Sequence, residues 1–286
     1  MTAFLTVVLI LLVYAVFSVA VSYASVETSR NELTLKGITD EAVIVLISDL
    51  HGREVGRGNS KLISAVKAAG PDAVCLTGDF IDVGDNERDI DEFCSLVSAL
   101  CGIAPVYYSY GNHEMRRIAN GGDDFSDKIS AAGAKLLECS YTDVNINGQT
   151  VRIGGMYGSG FVTENEPEGS DEARRYCFLT EFTACEYPTL LLSHCPDSFV
   201  IGSEEADWEI GLILSGHVHG GLWRLPIVGG LVSHSEGLFP VHDKGMFALG
   251  RSHMVITSGL AGSGWIPRLG NPGEITVITL KPENTK

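Results

Sequence analysis

The chain predicts an α/β fold behind one membrane-length apolar helix, and two observations carry that expectation. First, runs rich in β-branched residues alternate with amphipathic stretches: "EAVIVLISDLHG", "NSKLISAVKAAG", "PDAVCLTGDF", "DIDEFCSLVSAL" and "APVYYSYGNHE" follow one another as β-α-β-α-β. Strands so continuously apolar are covered on both faces and pair in parallel. Second, no charged side chain occurs between Thr2 and Val26. With 286 residues, 45% of them hydrophobic, the chain has material for a substantial core.

The first run, "AFLTVVLILLVYAVFSVAVSYA", is close to the roughly 20 residues that a bilayer-spanning helix needs. Ser22-Tyr23-Ala24 has the small-x-small form of a signal cleavage site. No Lys or Arg precedes the run, however, and it exceeds the roughly 7 to 15 residues of a signal core, which favours a retained anchor over residues 1–26. Arg30 and Lys36 follow with Glu27 and Glu32 interspersed, so the flanking charges set no orientation. Residues 27–37 are expected to form a juxtamembrane segment and a first edge strand, since "NELTLKG" alternates polar and apolar side chains. Residues 38–286 then make one domain. Its first helix is capped by Asn59 or Ser60 and stopped by Gly70. Beyond the third strand, "DFSDKISAAG" reads as a short helix, and "AKLLEC" and "QTVRIGGMYG" as strands. The acidic loop "TENEPEGSDE" leads into a helix with Asp171 and Glu172 in its first turn, where the helix dipole favours them. "TLLLSHC" and "GLILSGHVH" are two more buried strands. The glycine-rich stretch "GLAGSGWIPRLGNPGE" precedes a closing strand, "EITVITL". No internal repeat or Pro/Ser linker marks a second domain.

The formal net charge of −16 argues against a nucleic-acid surface or an anionic-lipid surface that works by counterion release. Bound cations would reverse the sign inside one cleft, so a phosphate-bearing substrate stays compatible with this charge. The seven cysteines form no CxxC pair and are odd in number, which suits reduced thiols better than a disulfide framework. Cys195 stands out because His194 precedes it.

Five apolar runs end in residues fit to bind a metal. Asp49 and His51 follow "VIVLIS", Asp79 follows "AVCLTG", and Asn112 and His113 follow "VYYSYG". His194 follows "TLLLS", and His217 and His219 follow "LILSG". In open α/β sheets ligands gather outside the carboxyl ends of strands, so these residues are expected to share one crevice. Imidazole nitrogens with carboxylate and amide oxygens suit Mn, Fe or Zn rather than a thiolate site. Glycines 78, 111 and 216 precede the ligands, where the chain must turn and approach closely.

Taken together, Asp49-x-His51, Gly78-Asp79, Gly111-Asn112-His113-Glu114, His194 and Gly216-His217-x-His219 resemble the calcineurin-like metallophosphoesterase signature, in its order. The resemblance runs from about residue 40 to the end of the chain and is similar to the membrane-associated branch of bacterial phosphodiesterases and UDP-diacylglucosamine pyrophosphatase-like proteins. It implies a four-layer α/β/β/α sandwich and two divalent metal ions. One would be held by Asp49, His51, Asp79 and His219, and the other by Asp79, Asn112, His194 and His217, with Asp79 bridging. It also implies attack by a metal-bridging hydroxide on a phosphodiester or pyrophosphate, with His113 as general acid. Glu114 is expected either to orient that imidazole or to be a solvated residue of a first helical turn. The chain departs from the pattern at Leu222-Trp223, where a polar residue is usual, which opens the substrate preference without touching the ligand set.

Arg116 and Arg117 follow the motif closely enough to meet a phosphate. Trp223, Leu225 and Trp265 offer an apolar wall for a lipid tail. His234, His242 and His253 are expected to be ordinary loop histidines. The expectation is thus a membrane-anchored phosphoesterase acting on a phosphoester substrate, with a lipid-linked one favoured by the anchor. A phosphomonoesterase with the same centre and a non-catalytic, metal-stabilised binding protein are the rivals. Oligomeric state and the side of the membrane are not encoded.

Overall fold

The computed structural model describes residues 1–283 except 83, 85–86, 122–124, 234 and 264–265, and the side chains of residues 3 and 11. Two of the expectations above, His234 and Trp265, lie outside the described residues.

The apolar run forms helix α1 (Thr2–Ala24), and only Ser25 separates it from strand β1 (Val26–Thr34). It is the one helix among the described residues long and apolar enough to cross a membrane, with a mean hydropathy of 2.8 over its most apolar window. Strand β1 therefore starts earlier than the alternation in "NELTLKG" indicates. Its sequence, "VETSRNELT", is too polar to read as a strand because it lies at a sheet edge, with one neighbour only.

Two six-stranded sheets stack face to face. The first contains β1, β2 (Ala42–Ile47), β3 (Ala73–Leu76), β4 (Val106–Tyr108), β5 (Lys135–Leu136) and the last strand of the chain, β12 (Gly273–Lys281). Its order is β1-β12-β2-β3-β4-β5, with β2, β3, β4 and β5 parallel, as expected for the β-α-β-α-β half. The second contains β6 (Ser140–Ile146), β7 (Gln149–Gly155), β8 (Thr189–Leu192), β9 (Leu212–Ser215), β10 (Gly245–Leu249) and β11 (Ser252–Ile256), ordered β10-β11-β9-β8-β7-β6.

The period of two along each buried strand explains the layering. Ile44 and Leu46 of β2 face the core between the sheets, where they meet Leu190, Leu192, Leu212 and Leu214 of the second sheet. Val45 and Ile47 point the other way, to helices α2 (Ser60–Ala69), α3 (Glu87–Cys101) and α5 (Phe125–Ala131). On the far side, Leu191 and Ile213 meet Phe178, Leu179 and Phe182 of α6 (Asp171–Thr183). The result is the four-layer α/β/β/α arrangement. Helix α6 carries Asp171 and Glu172 in its first turn, with Ser170 as a side-chain cap accepting from the Ala173 amide at 3.0 Å. The expected cap at Asn59 takes another form: its Oδ1 accepts from the Val55 amide, and the residue itself is left-handed.

The chain crosses from the first sheet to the second through Leu137, Glu138 and Cys139. Glu138 accepts from the Tyr157 amide at 3.2 Å, and burial pushes its carboxyl up to about 7. All seven cysteines are free thiols.

This packing can be tested at two positions. A Cβ on Gly154 would sit 2.6 Å from the Phe182 ring. Gly154→Val should therefore cost about 1 to 3 kcal/mol by forcing α6 off the sheet, read as a lowered denaturation midpoint. The Glu138 carboxyl is raised above its unfolded value, so the stability it contributes is complete below about pH 4.5 and is lost as pH rises through about 7. Glu138→Gln should remove that part of the pH slope, raising the melting temperature at pH 8 relative to the unchanged chain and having little effect at pH 5.

Candidate metal centre

The five strand ends named from the sequence converge on one crevice. Strands β2, β3 and β4 bring Asp49 and His51, Asp79, and Asn112 and His113 from the first sheet. Strands β8 and β9 bring His194, and His217 and His219, from the second. The loops are laced together by backbone bonds: the Asp49 amide donates to the Gly78 carbonyl, the His51 amide to the Asp79 carbonyl, and the Gly216 amide to the His194 carbonyl. The His217 amide donates to the Asp49 carboxylate at 3.1 Å, joining the two sheets directly.

This convergence leaves no room at two glycines. A Cβ on Gly111 would lie 2.2 Å from Asp79 Oδ1, and one on Gly216 would lie 2.1 Å from Ser48 Oγ. The candidate ligand residues also carry backbone strain. Asp49, His51, Asp79, His217 and His219 all have left-handed φ, between 48° and 70°. Each costs on the order of 1 kcal/mol and persists only where surrounding structure enforces it, a pattern concentrated at functional sites.

The side-chain atoms form two overlapping groups around Asp79 and Asp49. His194 Nε2 lies 3.2 Å and His51 Nε2 3.8 Å from Asp79 Oδ2, while His219 Nε2 lies 3.7 Å from Asp49 Oδ1. Asp49, His51 and His219 bring ligand atoms within 4.8 Å of one another, as do Asp49, Asp79 and His194, and His194, Cys195 and His217. Cys195 is thus close to the centre, but burial raises its thiol well above its ordinary range, which works against a thiolate ligand.

These residues fit divalent cations. Two buried polar atoms, His51 Nε2 and Asn112 Oδ1, have no hydrogen-bond partner, a costly condition for groups that carry a lone pair unless something accepts it. The opposite ring nitrogens are engaged: His194 Nδ1 lies 2.6 Å from the Thr77 carbonyl and His219 Nδ1 3.0 Å from the Ala261 carbonyl. Donation to those carbonyls leaves each Nε2 aimed into the crevice, as a lone pair on His219 and facing Asp79 on His194, where a cation would displace the proton. Burial pushes His219 down to about 3, and burial with the neighbouring His194 pushes His217 down to about 4, so both are neutral and ready to ligate. Burial opposes charge on His194 as well, but Asp79 and Asp49 outweigh it and raise this imidazole to about 10. Asp79, which burial alone would raise, is held below the usual carboxylate range by His194, His51 and His113.

His113 occupies a different position. Its side chain is 25% exposed, against 9% for His51, and its Nε2 lies 3.9 Å from Asp79 Oδ2. Asp82, which no sequence pattern singles out, stands behind it. Asp82 Oδ1 is 2.9 Å from His113 Nδ1 and 2.8 Å from His51 Nδ1, and these bonds hold its carboxyl well below the usual range.

Both expectations for Glu114 are corrected. The residue is fully buried, and its carboxylate accepts from the amides of Asp79, Phe80 and Gly111 at 2.8 Å each and from that of Ile81 at 3.3 Å. It holds the Asp79 loop against the start of α4 (Asn112–Ala119), while Asp82 faces the His113 imidazole.

Two further residues escaped sequence reasoning because they sit in the glycine-rich stretch. Arg268 is wholly buried, its guanidinium donating to the carbonyls of Ser258, Ala261, Asn271 and Pro272. Asn271 Nδ2 donates to the His219 carbonyl at 2.7 Å and to that of Leu222 at 3.2 Å. Together they shape the wall behind His219. Of the candidate substrate residues, Arg116 is exposed on α4, Arg117 reaches to 3.8 Å from Glu87, and Trp223 is 42% exposed with its indole donating to the Pro267 carbonyl. His242 pairs with Glu236, and His253 lies in β11.

A sandwich of this kind with imidazoles and carboxylates pooled at the strand ends defines a metal-dependent hydrolase. The chain belongs to the calcineurin-like phosphoesterase family, whose model matches residues 42–221, the span from β2 through the His219 loop. It is 29% identical over 246 residues to phosphodiesterase YaeI of Escherichia coli (strain K12), covering 83% of this chain and 81% of that one. It is 26% identical over 224 residues to the uncharacterized metallophosphoesterase YkuE of Bacillus subtilis (strain 168), covering 78% and 72%. Among solved structures, TT1561 of Thermus thermophilus is similar at a TM-score of 0.47 and 16% identity over 77% of this chain and 90% of that one. The chain is a metal-dependent phosphoester hydrolase.

Because Asp82 orients two imidazoles at once, Asp82→Asn should lower turnover by about 10- to 100-fold, the usual effect of removing an outer hydrogen-bond partner. The far-ultraviolet circular dichroism should be unchanged. Full activity in a well-folded variant would remove Asp82 from the site.

Proposed function

We propose that the chain is a membrane-anchored two-metal phosphoesterase that hydrolyses a phosphodiester or pyrophosphate bond of a lipid-linked substrate. Asp49, His51, Asp79 and His219 would hold one cation, and Asp79, Asn112, His194 and His217 the other. Nitrogen and oxygen donors of this mix favour Mn, Fe or Zn. When bound, two such cations supply the charge that orients a phosphate group and activates water. The observation that carries this reading is the place of Asp79, whose Oδ2 lies between His194 Nε2 at 3.2 Å and His51 Nε2 at 3.8 Å, within reach of both donor sets.

The chain's own residues supply the remaining steps. His113 stands at the edge of the donor cluster with its Nε2 toward the crevice, and it protonates the leaving oxygen as the general acid. Asp82 stabilises the imidazolium through Nδ1. Arg116 would meet a phosphate oxygen, a role its exposure on α4 supports, and Trp223 would lend an apolar surface beside the His219 loop. The diester preference is supported by the name of the Escherichia coli relative, a phosphodiesterase. The lipid-linked substrate and the membrane location are supported by α1, whose last turns pack on the domain.

The test uses the full chain in detergent with Mn²⁺, assayed on bis-p-nitrophenyl phosphate and on p-nitrophenyl phosphate. The diester should turn over faster, and Asp79→Asn and His113→Ala should each lose about 10²- to 10⁴-fold. Unchanged turnover in both variants would end the catalytic reading, and a preference for the monoester would replace the diester reading with that of a phosphomonoesterase.

A further inference from the structure

Helix α1 leaves the domain at a defined place. Ser18 and Ser22 are its buried polar residues: Ser18 Oγ accepts from the Gly270 amide at 2.7 Å and Ser22 Oγ from the Asn271 amide at 3.2 Å. Lower down, Lys61 Nζ donates to the Ala24 carbonyl at 2.8 Å, and the Arg53 guanidinium stacks 4.7 Å from the Tyr23 ring and donates to the Tyr23 carbonyl. The helix thus runs up the domain from Tyr23 past Asn271 and Gly270, and its residues from Phe17 towards the N-terminus extend into the surroundings.

Beside that exit lie two short hairpins. The strand pair Arg224–Leu225 and Gly229–Gly230 is tied to the helix contact, since the Arg224 amide donates to the Leu269 carbonyl at 2.9 Å, one residue from Gly270. The pair Val232–Ser233 and Gly237–Leu238 is tied to the first by the bond from the Leu231 amide to the Trp223 carbonyl, and the Phe239 amide returns to the Leu231 carbonyl. The outer surface of these hairpins is apolar: Leu225, Ile227, Val228, Leu238, Phe239 and Val241 are all exposed, Ile227 completely.

Two features of this surface have no purpose in water. Ile227 is a β-branched residue held at φ 72°, a conformation such side chains avoid, and the strain presents it outward at a hairpin tip. In addition, residues 225–241 contain no Lys or Arg and one carboxylate, Glu236, in a chain of formal charge −16. That carboxylate is turned inward to the amides of Val241 and His242 and the His242 ring. A contiguous uncharged apolar surface of this kind marks a binding face.

We propose that the two hairpins of residues 224–241 are a second membrane contact, dipping into the bilayer interface beside the exit of α1. The proposal rests on the membrane-anchor reading above and adds a surface to it. Its occupant is the bilayer because the surface is continuous, through Gly270 and Leu269, with the helix that would enter that bilayer. With Arg224 paired to Asp243 at 2.6 Å and no Lys or Arg from 225 to 241, it docks by apolar burial and is indifferent to anionic lipid. The hairpins follow directly on the His217–Gly221 loop, so docking sets the crevice at the lipid surface.

The experiment reconstitutes the full chain in phosphatidylcholine nanodiscs with and without brominated acyl chains and reads tryptophan quenching beyond that of the unchanged chain. Ile227→Trp and Phe239→Trp replace exposed residues and leave the fold intact, Val13→Trp reports the anchor, and Tyr187→Trp, exposed before β8 at the end of the sheet opposite the crevice, is the solvent control. Quenching at 227 and 239 at least about twofold above that at 187, unchanged by added anionic lipid, is the expected result. Quenching at 13 with none at 227 or 239 overturns the second contact and leaves the anchor. Absence of quenching at 13 overturns the anchor reading itself.

Discussion

The site depends on one buried carboxylate that touches no candidate ligand side chain. Glu114 gathers the amides of Asp79, Phe80, Ile81 and Gly111 onto its two oxygens, tying the loop after β3 to the first turn of α4. Burial and the neighbouring Asp79 charge push its carboxyl upward, and the Asp79 and Gly111 amides, joined by His194, oppose that shift. This grip holds Asp79 at its left-handed φ of 55° with Gly111 packed against its carboxylate, so close that any side chain at 111 would displace it. Asp79 in turn sets the spacing of His194 and His51 from opposite sides. Losing the carboxylate would leave four buried amides without their acceptor and release the residue that both halves of the site share.

The candidate ligand residues were legible because each stands after an uninterrupted apolar run, and the end of a buried strand is where an α/β sheet exposes its polar residues. What surrounds them was not. Asp82 lies in the polar stretch "FIDVGDNE", where one carboxylate reads like its neighbours, and only the folded geometry sets it between His51 and His113. Glu114 was ambiguous for a related reason: an acidic residue in a first helical turn is favoured by the dipole whether it faces solvent or the protein. Arg268 and Asn271 sit among glycines, a composition that signals turns and says nothing of a buried guanidinium. The left-handed backbone of five candidate ligand residues has no sequence signature beyond their being Asp and His, types that tolerate it better than most.

Electrostatically, the centre is arranged for added positive charge. The two aspartates lie within a cluster of imidazoles, two of which burial keeps neutral, and unpartnered nitrogen and oxygen atoms face the same crevice. A folded protein that accepts strain, desolvated carboxylates and orphaned acceptors in one place needs a compensating interaction there. Divalent cations bound only in the folded state would provide one, since their binding free energy adds directly to folding stability.

The loop from Ser258 to Pro272 links this centre to the rest of the molecule. On one side it offers the Ala261 carbonyl to His219 Nδ1 and, through Asn271, holds the His219 carbonyl. On the other it presents the amides of Gly270 and Asn271 to two serines of α1. Arg268 ties Ser258, Ala261, Asn271 and Pro272 together through charge-assisted bonds to their four carbonyls. Asn271 thus touches the apolar helix with its backbone and a candidate metal ligand with its side chain. An apolar helix serving only as a tether would need no polar contact with the domain, because a flexible connection would do as well. Two buried serines and a single-residue link to β1 instead fix its direction relative to the crevice, the arrangement that the proposed lipid-linked substrate would call for.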